Sequence, residues 1–351
     1  MNPTPAPDTP TLRAERVPLD DPRWLALLDR SEAVTPSHLP AWTKIVADSY
    51  GFPSFALVLL RENEAVAGLP IVDVSTRLRG RRYSALPFTD ECGPVAGPDD
   101  LSALVHALCA LRRQEQLIRI EVRACVPAVE ADVVSYVRGV RHHLQLEPTV
   151  EQAFAKLSSH HRRAVRTAQR SQVHIEIGAS AELLATFAAL HASTRKRLGV
   201  PVQPRRFLSA IGSALVEHEI GYIAVAWQGD RPVAAGVFLE ANGVALYKFG
   251  ASDARAWSLR ANNLLVWEAI RHAIEHGATL FDFGRSDLGQ DGLSSFKRNF
   301  GATETPLVYT SIGLPEKESR LKPGRISGRI IQLSPPLVAR AAGRLLYRYT
   351  A

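Results

Sequence analysis

"YIAVAWQGDRPVAAGVFLE", residues 222–240, is a pair of apolar runs around the polar turn Gln228-Gly229-Asp230-Arg231, the signature of an antiparallel β-hairpin. The same arrangement occurs earlier in the chain as "FALVLLRENEAVAGLPIVDV", residues 55–74, where Gly68 occupies the place of Gly236, 168 positions on. What flanks the hairpins repeats as well. Before the first lie the helical stretches "DPRWLALLDRSE" and "LPAWTKIVADSY"; after it come the basic turn "RLRGRR", strand fragments through "YSALPFTDECGPVAGP", a helix over 100–113 and the strand "LIRIEVRA". Before the second lie a helix through 151–170, the strand "VHIEIG" and the helix "AELLATFAALHASTRKRLG", stopped by Gly199 and Pro201. After it come the strand "VALYKFGAS", the helix "NNLLVWEAIRHAIEHG" and the strand "TLFDFG". This repetition predicts a duplicated α+β unit, with mixed sheets flanked by helices. The expected boundaries are a disordered lead over 1–15, a first domain over 16–150, a second over 151–313 and a basic helical tail over 314–351.

Composition narrows the function classes. The chain has 351 residues, 46% of them hydrophobic, enough for two buried cores. Cys92, Cys109 and Cys125 are far apart with no CxxC pair, so neither a zinc ribbon nor a disulfide framework is expected, and a reducing cytoplasm fits. The opening "MNPTPAPDTP" has neither the basic start nor the apolar core of a signal peptide. The net charge of +7 resembles a nucleic-acid signal until it is located: Ser319–Ala351 holds seven basic residues and no acidic one, which leaves the body neutral. In that tail Leu337, Val338, Ala341, Leu345, Leu346 and Tyr349 fall at helical spacing, apart from Arg340, Arg344 and Arg348. Such a segment suits an anionic membrane surface, with a peripheral location on its inner face, or equally a helix docked on the body.

Catalytic signals concentrate in "ATLFDFGRSDLGQDGLSSFKRNFGA", residues 278–302, and several fail on inspection. Gly284 and Gly289 have P-loop spacing, but Gln290 and Asp291 stand where Lys and Ser or Thr must meet phosphate and Mg²⁺. Asp287, Gly289 and Asp291 imitate a calcium loop whose twelfth position is Arg298, a cation where a bidentate Glu is required. Ser294 and Lys297 form an SxxK without the motifs that accompany serine acylation, and no HExxH offers a metal site. What remains is a short helix, capped by Asp291 or Ser294 and ended by Gly301, with Phe296 and Phe300 on one face and Lys297 beside them. With seven lysines against 35 arginines in the chain, a lysine here stands out. Its ammonium suits an anion developing during acyl transfer.

"GLSSFKRNFGA" resembles the GLxxFKxxFG signature of the FemABX peptidyltransferases. "FDFGRS", "RANNLLVWEAIRHAIEHGA" and "AGLPIVDVSTRLRGRRYSALPFTDECGP" resemble a FemAB-like branch found beside exopolysaccharide genes, a likeness running from about Trp42 to Tyr309. The resemblance implies two tandem GNAT-like domains, of which the second is catalytic. It also implies transfer of an aminoacyl group from aminoacyl-tRNA to an amine of a glycan or peptide precursor of the cell wall or exopolysaccharide. On it, Lys297 stabilises the transition state, while Phe296 and Tyr247 line the site. Arg162 and Arg166, in one cationic stripe with Arg170, then suit a phosphorylated acceptor or tRNA. Trp42 matches a first-domain tryptophan, although Val46 stands where the family often has an acceptor-binding lysine, and no coiled-coil arm is present.

These readings predict an N-acyl or aminoacyl transferase with no resident cofactor or metal and a donor that is aminoacyl-tRNA or acyl-CoA. The loop "DARAWSLRANN" lacks the glycines of a standard CoA-binding turn, so Arg255 and Arg260 would hold phosphates instead. Asp282 is read as a proton acceptor or a buried loop cap, and Arg285 and Ser286 as substrate contacts at a strand end. Alternatives are an acyl-CoA-dependent GNAT acetyltransferase and a non-catalytic GNAT-like module in polysaccharide or membrane assembly.

Overall fold

A computed structural model describes residues 12–314; the tail from 315 on, with its membrane expectation, lies outside the described residues, as do residues 1–11 of the lead. The first half contains β1 (Leu12–Val17), α1 (Pro22–Arg30), α2 (Pro40–Tyr50), β2 (Ser54–Arg61), β3 (Glu64–Asp73), β4 (Arg82–Ser84), β5 (Val95–Ala96), α3 (Pro98–Gln114), β6 (Arg119–Val122) and β7 (Val133–Gln145). The second contains α4 (Val150–Lys156), α5 (Ser159–Arg170), β8 (Val173–Gly178), α6 (Ala181–Leu198), α7 (Arg205–Glu217), β9 (Gly221–Gln228), β10 (Arg231–Ala241), β11 (Val244–Ser252), α8 (Ala261–Glu275), β12 (Leu280–Ser286), α9 (Asp291–Arg298) and β13 (Thr303–Gly313). Residues 12–15, read as part of the lead, lie in β1, which pairs antiparallel with β2.

Both expected hairpins form, β2 with β3 and β9 with β10, and each is followed by a parallel pair, β4 with β6 and β11 with β12. The two sheets are continuous. The strand order is β1-β2-β3-β4-β6-β13-β7-β12-β11-β10-β9-β8, so β13 from the end of the second half pairs with β6 of the first, and β7 from the first pairs with β12 of the second. This exchange covers what would otherwise be two open sheet edges at the junction.

Local chemistry explains the boundaries. The Ser180 side chain accepts from Leu183 N to start α6, and Gly199, at φ 66°, closes it by donating to Arg195 and Lys196 carbonyls. The stretch 151–170 is two helices rather than the one predicted. Ser158 accepts from His161 N and caps a new helix, while Arg162 reaches back to the carbonyls of Ala155 and Leu157 at the end of α4. Gly221 adopts φ 147°, where a Cβ would stand 2.1 Å from the Phe238 carbonyl oxygen.

One core lies between β8–β12 and the helices α4, α5 and α8, around Val165, Leu265, Trp267 and Phe281. A second joins the halves: Trp42, Val46 and Tyr50 of α2 pack with Phe207 and Ile211 of α7 and with the opposite face of the second sheet. Among the described residues no helix is long and apolar enough to cross a membrane.

Candidate active site

The parallel pairing of β11 and β12 covers only Val244–Leu246 against Leu280–Asp282. Beyond it β11 runs on to Ser252 without a β12 partner, while β12 leans to β7 with an irregularity between Asp282 and Arg285. In β11 the pairs Phe238 with Tyr247 and Val237 with Phe249 leave Lys248 as the extra residue of a bulge. The strands therefore part at one point, and the charged groups of the molecule's centre gather there.

Lys297, 4% exposed, donates from Nζ to the carbonyls of Gly284 and Arg285, both at 3.0 Å. Burial pulls its ammonium down to about 8, against Asp90 and Asp282, which favour the charged form. The half-buried Asp90 comes from the first half of the chain. Its Oδ2 accepts from Arg285 N at 3.2 Å, and its backbone carbonyl accepts from Tyr309 Oη at 2.6 Å. Gly284 has φ 66°, and a Cβ there would approach Asp90 Oδ2 to 2.8 Å, so this turn needs glycine twice over. Burial pushes the Asp90 carboxyl up, but Lys248, Arg285 and Lys297 outweigh it and hold the group below the usual carboxylate range. Lys248 Nζ donates to the Phe88 carbonyl at 3.1 Å and lies over the Trp42 ring at 5.3 Å; burial lowers its affinity for the proton.

Asp282 is buried and engaged. Oδ2 accepts from Arg141 Nε at 3.0 Å and pairs with its terminal nitrogen at 2.9 Å, and Oδ1 accepts from Gly284 N at 2.7 Å. Arg141 also pairs with Glu91 at 2.7 Å.

The sequence-derived residues thus divide. Lys297, Asp282, Arg285 and Ser286 share the β12 end, and Trp42 joins them through Lys248 and through Nε1 donating to Thr89 Oγ1 at 3.1 Å. Ser286 Oγ is fully buried with no hydrogen-bond partner among the described residues. Tyr247 stacks on Phe238 at 4.9 Å and lies against Gly236 and Gly250, away from Lys248. Phe296 turns to Phe300 and to the buried His161 of α5, so the aromatic face and the Lys297 ammonium point to different neighbours. Arg162 is occupied in capping α4, and Arg166 lies over Phe154 at 5.9 Å. The helix α9 begins at Asp291 with Gln290 as its N-cap residue, and no side chain caps it, unlike the expected Asp291 or Ser294 cap.

Sequence reasoning missed Asp90, Glu91, Arg141 and Lys248. The first two stand in the quoted "YSALPFTDECGP" but carry no motif, and their loop holds Leu86 and Phe88 at φ 66° and 59°, a conformation nothing in their side chains announces. A separate group, Cys109, Glu130 and Asp132, brings ligand atoms within 4.8 Å of one another. Its carboxylates are engaged by Arg113 and Arg112, and burial pushes the thiol up to about 11, so it is a poor metal centre.

Residues 155–298 match the acetyltransferase (GNAT) domain family. The match includes β11, β12 and Lys297, and excludes Asp90. No curated protein matches in sequence. Among solved structures, FemX superposes with a TM-score of 0.67 at 14% identity, over 86% of this chain and 97% of that one. L-PGS from Bacillus licheniformis gives 0.57 at 15% identity, over 91% and 100%. The C-terminal domain of a candidate lysylphosphatidylglycerol synthetase from Agrobacterium fabrum gives 0.56 at 12%, over 91% and 95%. The chain therefore has the tandem GNAT fold, with the family match lying in its second half.

Proposed function

We propose that the protein is an N-acyltransferase that joins an acyl or aminoacyl group to an amine where β11 and β12 part. The observation carrying this reading is that the parting strands meet a buried cation, Lys297, tied to the very turn at which β12 leaves. The donor's carbonyl would lie across the opening, where strand N–H groups lack a ladder partner and Lys297 supplies positive charge to the oxyanion or leaving group. The amine's lone pair forms the C–N bond, the bond from the acyl carbon to oxygen or sulfur breaks, and one amine proton must leave. Asp282 is a poor acceptor for that proton, with both oxygens engaged; Asp90 has an oxygen to spare and suits the role better on geometry, although the cations around it weaken it as a base.

The helix ends support placing the donor in the second half. Before α8, Arg260 adopts φ 58°, no side chain caps the helix and its first turn holds no acid, which suits a donor phosphate. By contrast α3 carries Asp99 and Asp100 in its first turn. Arg255 is already bound to Asp253, which leaves Arg260 as the better phosphate partner of the two. This favours acyl-CoA and aminoacyl-tRNA alike. The likeness to FemX and the FemABX-type block favour an amine on a cell-wall or exopolysaccharide precursor.

Incubation of the purified protein with aminoacyl-tRNA or with acyl-CoA, and an amine mixture, tests the reading. Acyl loss from one donor with an amide product is expected. Neither binding nor turnover of either donor would leave the non-catalytic scaffold as the better account.

A further inference from the structure

Between the first-half residues Asp90 and Glu91 and the last paired residues of β11 and β12 lies a cavity of about 20 Å³. A water needs roughly 10–15 Å³ by this measure, so the space admits one or two groups of that size and no ring. Its charged walls are Asp90, Glu91, Asp282, Arg141 and Arg285, with Leu246 among the apolar ones. Arg141 divides its guanidinium between Glu91 and Asp282, and the Arg285 guanidinium turns to Asp287 at 3.2 Å. The ammoniums of Lys248 and Lys297 also act on Asp90 through space, but they donate to the carbonyls of Phe88, Gly284 and Arg285, so what the three carboxylates lack is donors rather than positive charge. Among the described residues the only group donating to the Asp90 side chain is the backbone N–H of Arg285, and Glu91 has Arg141 as its one ion-pair partner. A small cation with several N–H donors satisfies what is left over.

We infer that this cavity seats the acceptor's primary amine, arriving as an ammonium that gives one proton to solvent on the open Glu91 side before its lone pair attacks and a second to the leaving group, and that Glu91 is the residue that selects it. The inference rests on the reading of the chain as an amine acyltransferase. It favours a primary amine on a slender arm, since a trimethylated nitrogen exceeds the space and a hydroxyl lacks the charge and offers a single donor. Glu91, whose side chain is 39% exposed, stands where the amine must enter.

Binding can be read without any donor. Propylammonium, propyltrimethylammonium and 1-propanol are titrated into the full chain at pH 7 and followed by ligand-observed NMR. Saturable binding of propylammonium alone is expected. Glu91→Gln should weaken it roughly 10- to 100-fold, the loss of a charge-assisted bond, with Glu91→Asp recovering part. Equal binding of the trimethylated ion, no binding of propylammonium, or a folded Glu91→Gln variant with wild-type affinity overturns the assignment. If Glu91→Gln does not fold, the selectivity of the unaltered protein among the three probes still decides. Propylammonium binding in a protein that transfers no acyl group would uphold the cavity and remove the acyltransferase reading; acyl transfer to amines that Glu91→Gln leaves unchanged would do the reverse.

Discussion

Replacing Lys297 by Met separates chemistry from stability. The side chain is 4% exposed, and its two hydrogen bonds fix the Gly284 and Arg285 carbonyls. Unpairing two buried carbonyls costs about 1–3 kcal/mol each. Against this, burial has lowered the ammonium from 10.5 to about 8, which corresponds to about 3 kcal/mol disfavouring the charged form in place, a cost that Met does not carry. The two effects nearly offset one another, so Lys297→Met should fold with a Tm within about 5 °C of the parent. Turnover has no such compensation. Loss of one group that stabilises an oxyanion typically costs about 10²- to 10³-fold in kcat. Steady-state kinetics with whichever donor proves active gives the comparison, and a folded variant with kcat within about threefold of the parent would refute the reasoning.

The other predictions are briefer. The rate of the unaltered protein should fall as pH rises through about 8, as Lys297 loses its proton; between 8 and 10.5 the unfolded chain holds this proton and the folded one does not, so this group adds stability as pH rises, and a parallel unfolding scan separates the fall from loss of structure. A rate still climbing at high pH would exclude the ammonium as the active form. Asp282→Asn, whose one remaining oxygen can still accept from Gly284 N but whose NH2 then faces the Arg141 guanidinium, should cost about 3 kcal/mol in urea unfolding and less turnover than Lys297→Met; a stable but inactive variant would restore Asp282 as proton acceptor. Gly221→Ala should cost more than about 3 kcal/mol, since a Cβ there stands 2.1 Å from the Phe238 carbonyl oxygen, and unaltered unfolding would contradict the assigned backbone. Truncation before Ser319 should abolish sedimentation with anionic vesicles; a full-length protein that never sediments refutes lipid binding by the tail.

What was legible in the sequence was local or periodic. Two hairpins with matched glycines gave the duplication, Gly199 ended its helix by left-handed geometry, and the i, i+4 spacing of Phe296 and Phe300 gave α9 its apolar face. One residue on from Phe296 is about 100° around a helix, however, and that turn carries Lys297 away from the aromatics and onto the β12 carbonyls. The exchange of β7 and β13 had no local trace, because pairing across more than a hundred residues depends on which edges remain open after each half has formed. Asp90 and Glu91 were hidden for a related reason: their place is set by Leu86 and Phe88 in strained left-handed conformations, held by contacts with the other half such as Lys248 to the Phe88 carbonyl.

That loop also explains why a duplicated unit offers one opening and not two. In the first half β4 pairs with β6 through Ser84 and Glu121, and the ladder is then continued by Ala85 N donating to the Glu121 carbonyl and by the bridge of Cys92 to Arg123. The segment between them, residues 86–91, fills the place where the equivalent strands of the second half part. Having closed its own half, it extends across the joint sheet and delivers Asp90 and Glu91 to the other, where Asp282 of β12 has both oxygens engaged. The second half supplies the opening and Lys297, and the first supplies carboxylate oxygens still open to a donor. An isolated second half would therefore keep the donor end of the site and lose its means of holding an amine, which makes the fused sheet a requirement of the proposed chemistry as well as of the fold.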